Sequence, residues 1–245
     1  MNSTVEQILS HYSVRAFQNK KLTQDEIRLL VQAAQSASTS NFMQAYSIIG
    51  VSDQEKLNVI AEISGSASYV AQTGHFFVFV ADLARNKEIA EVKNVDFTSL
   101  ETTEKWLVAV IDATLAAQNM AIAAESMGLG ICFIGGIRNN LRQVSELLEI
   151  PDYALPIFGL TIGHPAQNSA PKPRMPEELI YHENVYQKKD KSLYNEYDAT
   201  IRAYYEKRTG GKRIENWTDQ MARGTSHPTR LDIKSLLTEK NLAKK

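Results

Sequence analysis

Cysteine occurs once in the 245 residues, at Cys132 inside an apolar run. Neither a disulfide framework nor a CxxC redox pair can therefore form within one chain, and a reduced cytoplasm is the expected compartment. Charge of one sign is missing as well: 27 Lys and Arg against 28 Asp and Glu leave a net charge of -1, with a pI near 6.5. No global field then favours nucleic acid or an anionic membrane surface, and neither is expected as a partner. The start, Met1-Asn2-Ser3-Thr4-Val5-Glu6, lacks a basic n-region and an apolar h-region, which predicts no secretory signal. His11, His75, His164, His182 and His227 are scattered without metal-ligand spacing, so no metal site is expected. No G-x-S-x-G elbow exists, and Cys132 has no evident activating base, which leaves nucleophilic catalysis little support.

What is present fits a globular chain: 43% hydrophobic and 22% charged residues are enough for a sizeable core. The length favours one large domain, residues 1–245, over two independent ones. Ser3 with Glu6, and Thr23 with Glu26, form capping-box patterns ahead of apolar residues, predicting two helices. Between them runs a polar and basic turn, His11-Tyr12-Ser13-Val14-Arg15-Ala16-Phe17. Ser36, Ser38, Thr39 and Ser40 compete for backbone hydrogen bonds and predict a hydroxyl-rich loop after the second helix. Tyr46–Val51 and His75–Val80 read as buried strands around a helix from about Gln54 to Ile63.

Trp106 to Met127 is apolar nearly all round, long enough for a membrane span of about 20 residues. Asp112, Gln118, Asn119 and Glu125 interrupt it, however, and each is costly in lipid. A central helix, buried by its own domain or by a partner subunit, is the expectation. A strand at Ile131–Ile134, a helix at Asn140–Ile150 and a strand at Pro156–Ile162 follow. From about Lys188 the composition turns charged, yet Tyr204, Tyr205, Ile214, Trp217 and Leu231 are too many for a solvated linker, so residues 188–245 read as an arm that packs on something.

Gly128-Leu129-Gly130-Ile131-Cys132-Phe133-Ile134-Gly135-Gly136 follows a helix and enters a strand, the reverse of the Rossmann order, and no Lys-Ser/Thr follows Gly135 to make a P-loop. Gly128 is expected to end the helix. Gly135 and Gly136 form a tight turn or let the backbone approach a flat ring closely. Pro171-Lys172-Pro173-Arg174 projects two cations from a stiffened backbone, a geometry suited to a phosphate that Arg15, His11 and Ser13 would help close. Each base taken alone reads as a solvated surface charge; the combination carries the argument. Arg208-Thr209-Gly210-Gly211-Lys212-Arg213 is either an exposed turn or a mobile clamp for an anion.

Together HYSVRAF, QSASTSNFMQAYSIIGVSD, HFFVFVAD, DATLAAQNMAIAAESMGLGICFIGGIRNN, LPIFGLTIGHPA, KPR, HENVY and YYEKRTGGKR resemble the oxygen-insensitive NADPH nitroreductase and NADPH-flavin oxidoreductase group of the FMN-dependent nitroreductase superfamily. The resemblance implies an α+β homodimer with a mixed central β-sheet flanked by helices and a subunit-exchanging C-terminal arm. It implies one bound FMN at each subunit interface, with its phosphate on Arg15, Lys172 and Arg174. His11, Ser13 and Thr39 would hold phosphate or ribityl oxygens, Phe133, Ile134, Gly135 and Gly136 would line the ring, and Tyr69 would lie close by. Arg208 and Arg213, helped by Lys212, match contacts to the 2′-phosphate of NADPH as co-substrate. Where the family commonly has glutamine, this sequence has Ala67, which removes a hydrogen bond typically worth roughly 0.5–1.5 kcal/mol.

The activity so implied is an NADPH-dependent reduction of nitroaromatics, quinones or free flavins in a two-step ping-pong cycle. The flavin carries the hydride at N5, so no protein residue is expected to be catalytic. A flavin reductase supplying a partner oxygenase and a flavin-binding redox sensor with incidental turnover are the alternatives.

Overall fold

A computed structural model describes residues 2–245. The chain forms two compact units: Met1–Ser169 together with Arg230–Lys245, and Ala170–Thr229. The arm expected from about Lys188 thus differs from the observed second unit at both ends. The unit starts at Ala170, and the last residues belong to the first unit.

The first unit opens with helix α1 (Ser3–Leu9). Its cap is Asn2, whose side chain accepts from the Val5 amide, and not the predicted Ser3. Asparagine one residue earlier is an equally good cap, and Ser3 becomes the first helical residue. Helix α2 (Gln24–Gln35) carries the expected box: Thr23 accepts from the Glu26 amide while the Glu26 carboxylate accepts from the Thr23 amide. Strand β1 (Tyr46–Val51), helices α3 (Gln54–Ser64) and α4 (Ala67–Val70), strand β2 (His75–Asp82) and helix α5 (Ala84–Val92) follow. Helix α6 (Thr103–Ser126), strand β3 (Gly130–Ile134), helix α7 (Leu141–Leu147) and strand β4 (Ala154–Gly163) complete the core.

The four strands lie in the order β1-β2-β4-β3, and every pairing is antiparallel. The parallel pair that a mixed sheet requires is not among the pairings of the described residues. Consecutive residues Phe76, Phe77, Val78 and Phe79 are all fully buried, so both faces of β2 are covered, as its unbroken apolar run demands. Helix α6 packs on α2 and on the sheet. Its inner face is a row of small residues, with Ala109, Ala113, Ala116, Ala117 and Ala124 at zero exposure, which lets the backbone approach closely. The opposite stripe, Leu107, Ile111 and Leu115 at i, i+4, i+8, is exposed. The chain alone therefore does not bury this helix all round.

Helix α10 (Ile233–Glu239) closes the first unit, with Leu236 and Leu242 buried and the Thr103 amide donating to the Lys245 carbonyl. In the second unit, α8 (Ser192–Thr209) and α9 (Trp217–Thr225) enclose a small core of their own. Tyr197, Ile201 and Tyr205 pack there with Met175, Tyr204 and Trp217. The large apolar residues of the tail are accounted for in part by this aromatic cluster, while Ile214 and Leu231 stay exposed.

Candidate functional site

The turn from His11 to Phe17 runs beside the start of β3. The Val14 amide donates to the Ile131 carbonyl, the Gln18 amide to His164, and Phe17 bridges to Pro165. Val14 is buried, so the alternation of an extended chain turns Ser13 and Arg15 to the other side. Gly130 permits this contact: a Cβ there would stand 2.5 Å from a Val14 methyl. Ser13 and Arg15 lie against Cys132. Burial pushes that thiol up, against the opposing pull of the Arg15 charge and of hydrogen bonds from Ser13 and Arg15. Phe133, next along the strand, is 40% exposed, unusual for a core strand. His11 Nδ1 pairs with the largely buried Glu125 carboxylate at 2.5 Å, a partner that the sequence reading did not assign. With one ring nitrogen so held, Nε2 is left to meet something else.

Gly135 and Gly136 begin a tight turn at the end of β3. At Gly136 a Cβ would stand 2.3 Å from the Ser64 carbonyl oxygen, so the close approach demanding glycine there is to the end of α3. No ring is needed to explain that residue. The same neighbourhood holds the Tyr69 hydroxyl, which donates to Ser66 Oγ at 2.9 Å. Ala67 begins α4 beside it. Gly128 ends α6 with φ of +75°, as expected.

Thr39 lies elsewhere. It caps a short 3-10 turn, Ser40–Phe42, and its buried Oγ1 has no hydrogen-bond partner among the described residues. Asn41, Phe42 and Gln44 all have positive φ, a cluster of costly conformations. Asp112 of α6, fully buried, holds the loop: its two oxygens accept from the Ser40 amide at 2.9 Å and the Ala45 amide at 3.0 Å. Asp112 and Glu125 stand about 20 Å apart along α6 at roughly 1.5 Å per residue. Within one chain, Thr39 and His11 therefore do not reach the same phosphate.

The remaining candidates share the second unit. Lys172 Nζ donates to the Tyr205 hydroxyl at 2.8 Å, and the Arg213 guanidinium lies 3.7 Å from the centroid of the same ring. Arg208 donates to the Tyr204 hydroxyl at 3.0 Å. Burial works to raise the Tyr205 phenol, but the Lys172 hydrogen bond and charge, with Arg213 and Arg208, outweigh it and draw the group below the usual tyrosine value. Arg174 lies near Tyr197, whose phenol burial raises. Among the described residues Lys172, Arg174, Arg208 and Lys212 form no ion pair with a carboxylate, while Arg213 pairs with Glu215 at Nε, 2.8 Å. Gly210, left-handed at φ of +60°, caps α8 and Gly211 follows at +80°, in an exposed turn.

Each unit thus carries its own set of anion donors, and the first also has an exposed phenylalanine on an otherwise buried strand. Comparison with known proteins names the family. Residues 8–164 match the Nitroreductase family, and residues 172–245 match the Nitroreductase family, C-terminal domain. The chain belongs to the nitroreductase family. The boundary between the two matches falls where the second compact unit begins. The FMN reductase (NADPH) of Bacillus subtilis strain 168 is 51% identical over the full length of both chains. The solved NfrA1 nitroreductase of B. subtilis superposes with a TM-score of 0.96 at 50% identity, covering 99% of this chain and 100% of that one. The NADPH:FMN oxidoreductase of Vibrio harveyi, solved with NAD+, superposes with a TM-score of 0.92 at 37% identity over 100% of both chains.

Proposed function

We propose that this nitroreductase-family protein is an FMN-dependent NADPH oxidoreductase that reduces small acceptors by two electrons in a ping-pong cycle. The observation that carries the proposal is the end-to-end 51% identity to a protein named for both nucleotides. The donor sets fit. Ser13, Arg15 and the free face of His11 provide phosphate donors in the first unit, and the partnerless Thr39 hydroxyl is a polar atom awaiting an acceptor. Lys172 and Arg174 supply two further cations. Phe133 and Tyr69 offer side chains to the ring, with the backbone of Ile134, Gly135 and Gly136 beside it, the Ile134 side chain itself being buried. When bound, FMN supplies the redox chemistry, so no protein acid, base or nucleophile is required. Arg208, Lys212 and Arg213 take the 2′-phosphate of NADPH and orient it, then release the oxidised nucleotide before the acceptor occupies the same place.

The working assembly in this proposal is a homodimer. The roughly 20 Å between the anchors of Thr39 and His11 is bridged if the Thr39 loop of a second copy completes each site. The exposed stripe of Leu107, Ile111 and Leu115 on α6 supplies an apolar face for that copy. The buried single thiol suits a reduced cytoplasm. Free FMN is among the acceptors, the one to which the name of the B. subtilis relative points.

The test is an anaerobic NADPH titration of the purified protein followed by absorbance, with a quinone, a nitroaromatic or free FMN then added. Flavin bleaching that reverses on addition of acceptor, with steady turnover, is the expected result. Absence of flavin even after reconstitution with FMN refutes the proposal, and a single reduction without turnover would identify a sensor.

A further inference from the structure

Tyr205 is placed as neither a surface tyrosine nor a plain core residue. It is 5% exposed, on the last turns of α8, in the small core with Tyr197 and Ile201 and with its ring edge-on to Tyr204. Yet its hydroxyl receives the Lys172 ammonium at 2.8 Å and its ring face receives the Arg213 guanidinium at 3.7 Å. The same residue holds Arg213 from the backbone side. The Tyr205 carbonyl accepts from Thr209 Oγ1 at 2.8 Å, and that oxygen accepts from the Arg213 amide, also at 2.8 Å. Lysine is a point charge on a flexible stem, and ordering it on a ligand costs entropy unless something pre-positions it. The tyrosine hydroxyl does so without neutralising the charge, as a carboxylate partner would.

We propose that Tyr205 is a positioning residue serving both nucleotide sites. Its hydroxyl sets Lys172 for the FMN phosphate, and its ring face, with the Glu215 carboxylate holding the guanidinium edge, sets Arg213 for the 2′-phosphate of NADPH. This rests on the roles given to Lys172 and Arg213 in the proposed function. Because the two contacts use different parts of one side chain, two substitutions separate them. Tyr205→Phe removes the hydroxyl and keeps the face; Tyr205→Leu removes both.

The experiment measures FMN dissociation from diluted holoenzyme by flavin fluorescence, and the steady-state KM for NADPH and NADH, in Y205F, Y205L, K172M and K172M/Y205F. Y205F is expected to weaken FMN retention roughly 2–10-fold, the range of one lost hydrogen bond. Y205L is expected to raise the NADPH KM a further 2–5-fold, roughly the range of an exposed cation–π contact, and to narrow the preference over NADH. In the K172M background Y205F should have no additional effect on FMN, because the hydroxyl acts only through Lys172. A Y205F effect on FMN as large in K172M as in the native chain overturns the inference, since it would reflect general loosening. So does Y205F holding FMN as the native chain does while K172M loses it. If K172M itself retains FMN fully, the flavin-phosphate reading of Lys172 fails, and the inference falls with it.

Discussion

Asp112→Asn is the substitution that most directly probes how the first unit keeps its hydroxyl-rich loop. The native carboxylate, fully buried, accepts from two backbone amides at 2.9 and 3.0 Å, one at each end of residues 40–45. A carboxamide has one acceptor oxygen, so its NH2 faces the second amide donor, and that buried N–H goes unpaired at about 1–3 kcal/mol. The surviving bond loses its charge assistance, about 1 kcal/mol more. Neutralising a buried carboxylate returns part of its desolvation cost, which acts in the opposite direction. The net expectation is a loss of about 2–3 kcal/mol, which for a chain of this size lowers Tm by roughly 5–10 °C. The loop contains three residues at positive φ, Asn41, Phe42 and Gln44, which persist only while the surroundings over-determine them. Freed at one end, the loop should relax and Thr39 should move with it, so FMN retention should fall as well. Thermal melts at fixed protein concentration, with and without added FMN, and flavin release on dilution are the assays. A D112N protein melting within about 2 °C of the native chain, with flavin held as tightly, would refute the reasoning.

Replacing Arg208 and Arg213 together by alanine should raise the NADPH KM at least tenfold, at roughly 1 kcal/mol or more per lost charge-assisted contact, while FMN stays bound; unchanged preference for NADPH over NADH would remove their assigned role. Arg174→Ala should release FMN through dialysis, and full retention would leave that arginine a surface charge. Gly136→Ala places a methyl 2.3 Å from the Ser64 carbonyl. A destabilisation of roughly 1–3 kcal/mol from overpacking is expected in denaturant unfolding, and a native midpoint would mean that the two segments separate freely. His75 is held below the ordinary histidine value, first by burial and then by the Lys21 charge. The folded state therefore binds this proton less readily than the unfolded chain, so stability should fall as pH drops through about 6.5 towards the folded value. His75→Phe should flatten that slope in melts between pH 5 and 7, and an unchanged slope would assign it to other groups.

Elements carried by local chemistry were legible from sequence. The Thr23–Glu26 box, the strands at Tyr46 and His75 and the long α6 each declare themselves within a window of a few residues, although β1, at the sheet edge, is buried only at Tyr46 and Val51. The Asn2 cap was displaced by one position because Asn2 and Ser3 are equally good capping residues in adjacent places. Helix α5 went unread because Ala84–Val92 exposes Ile89 and Val92 and buries only two alanines, leaving no amphipathic stripe facing the core. The arm was read from the rise in charge near Lys188, whereas the second unit begins at Ala170, inside the proline-rich run Pro165, Pro171, Pro173 and Pro176, which was read for its cations and not as a boundary.

The candidate site divides in the same way. Cations were legible as residue types, because two of them on a proline-stiffened segment and three around paired glycines make a pattern. Their organisers were not, because each acts across a long separation in sequence: Asp112 on the loop at Ser40, Glu125 on His11, Tyr205 on Lys172. An aspartate inside an apolar helix reads only as an argument against a membrane span until the two amides that it serves are in place. Fully buried, such a carboxylate is too costly to keep unless its hydrogen bonds compensate for desolvation. Here they do so while holding a loop whose threonine hydroxyl has no partner of its own. The same desolvation cost that argues against α6 as a membrane span thus marks Asp112 as the residue that organises the loop carrying Thr39, one side of the proposed site.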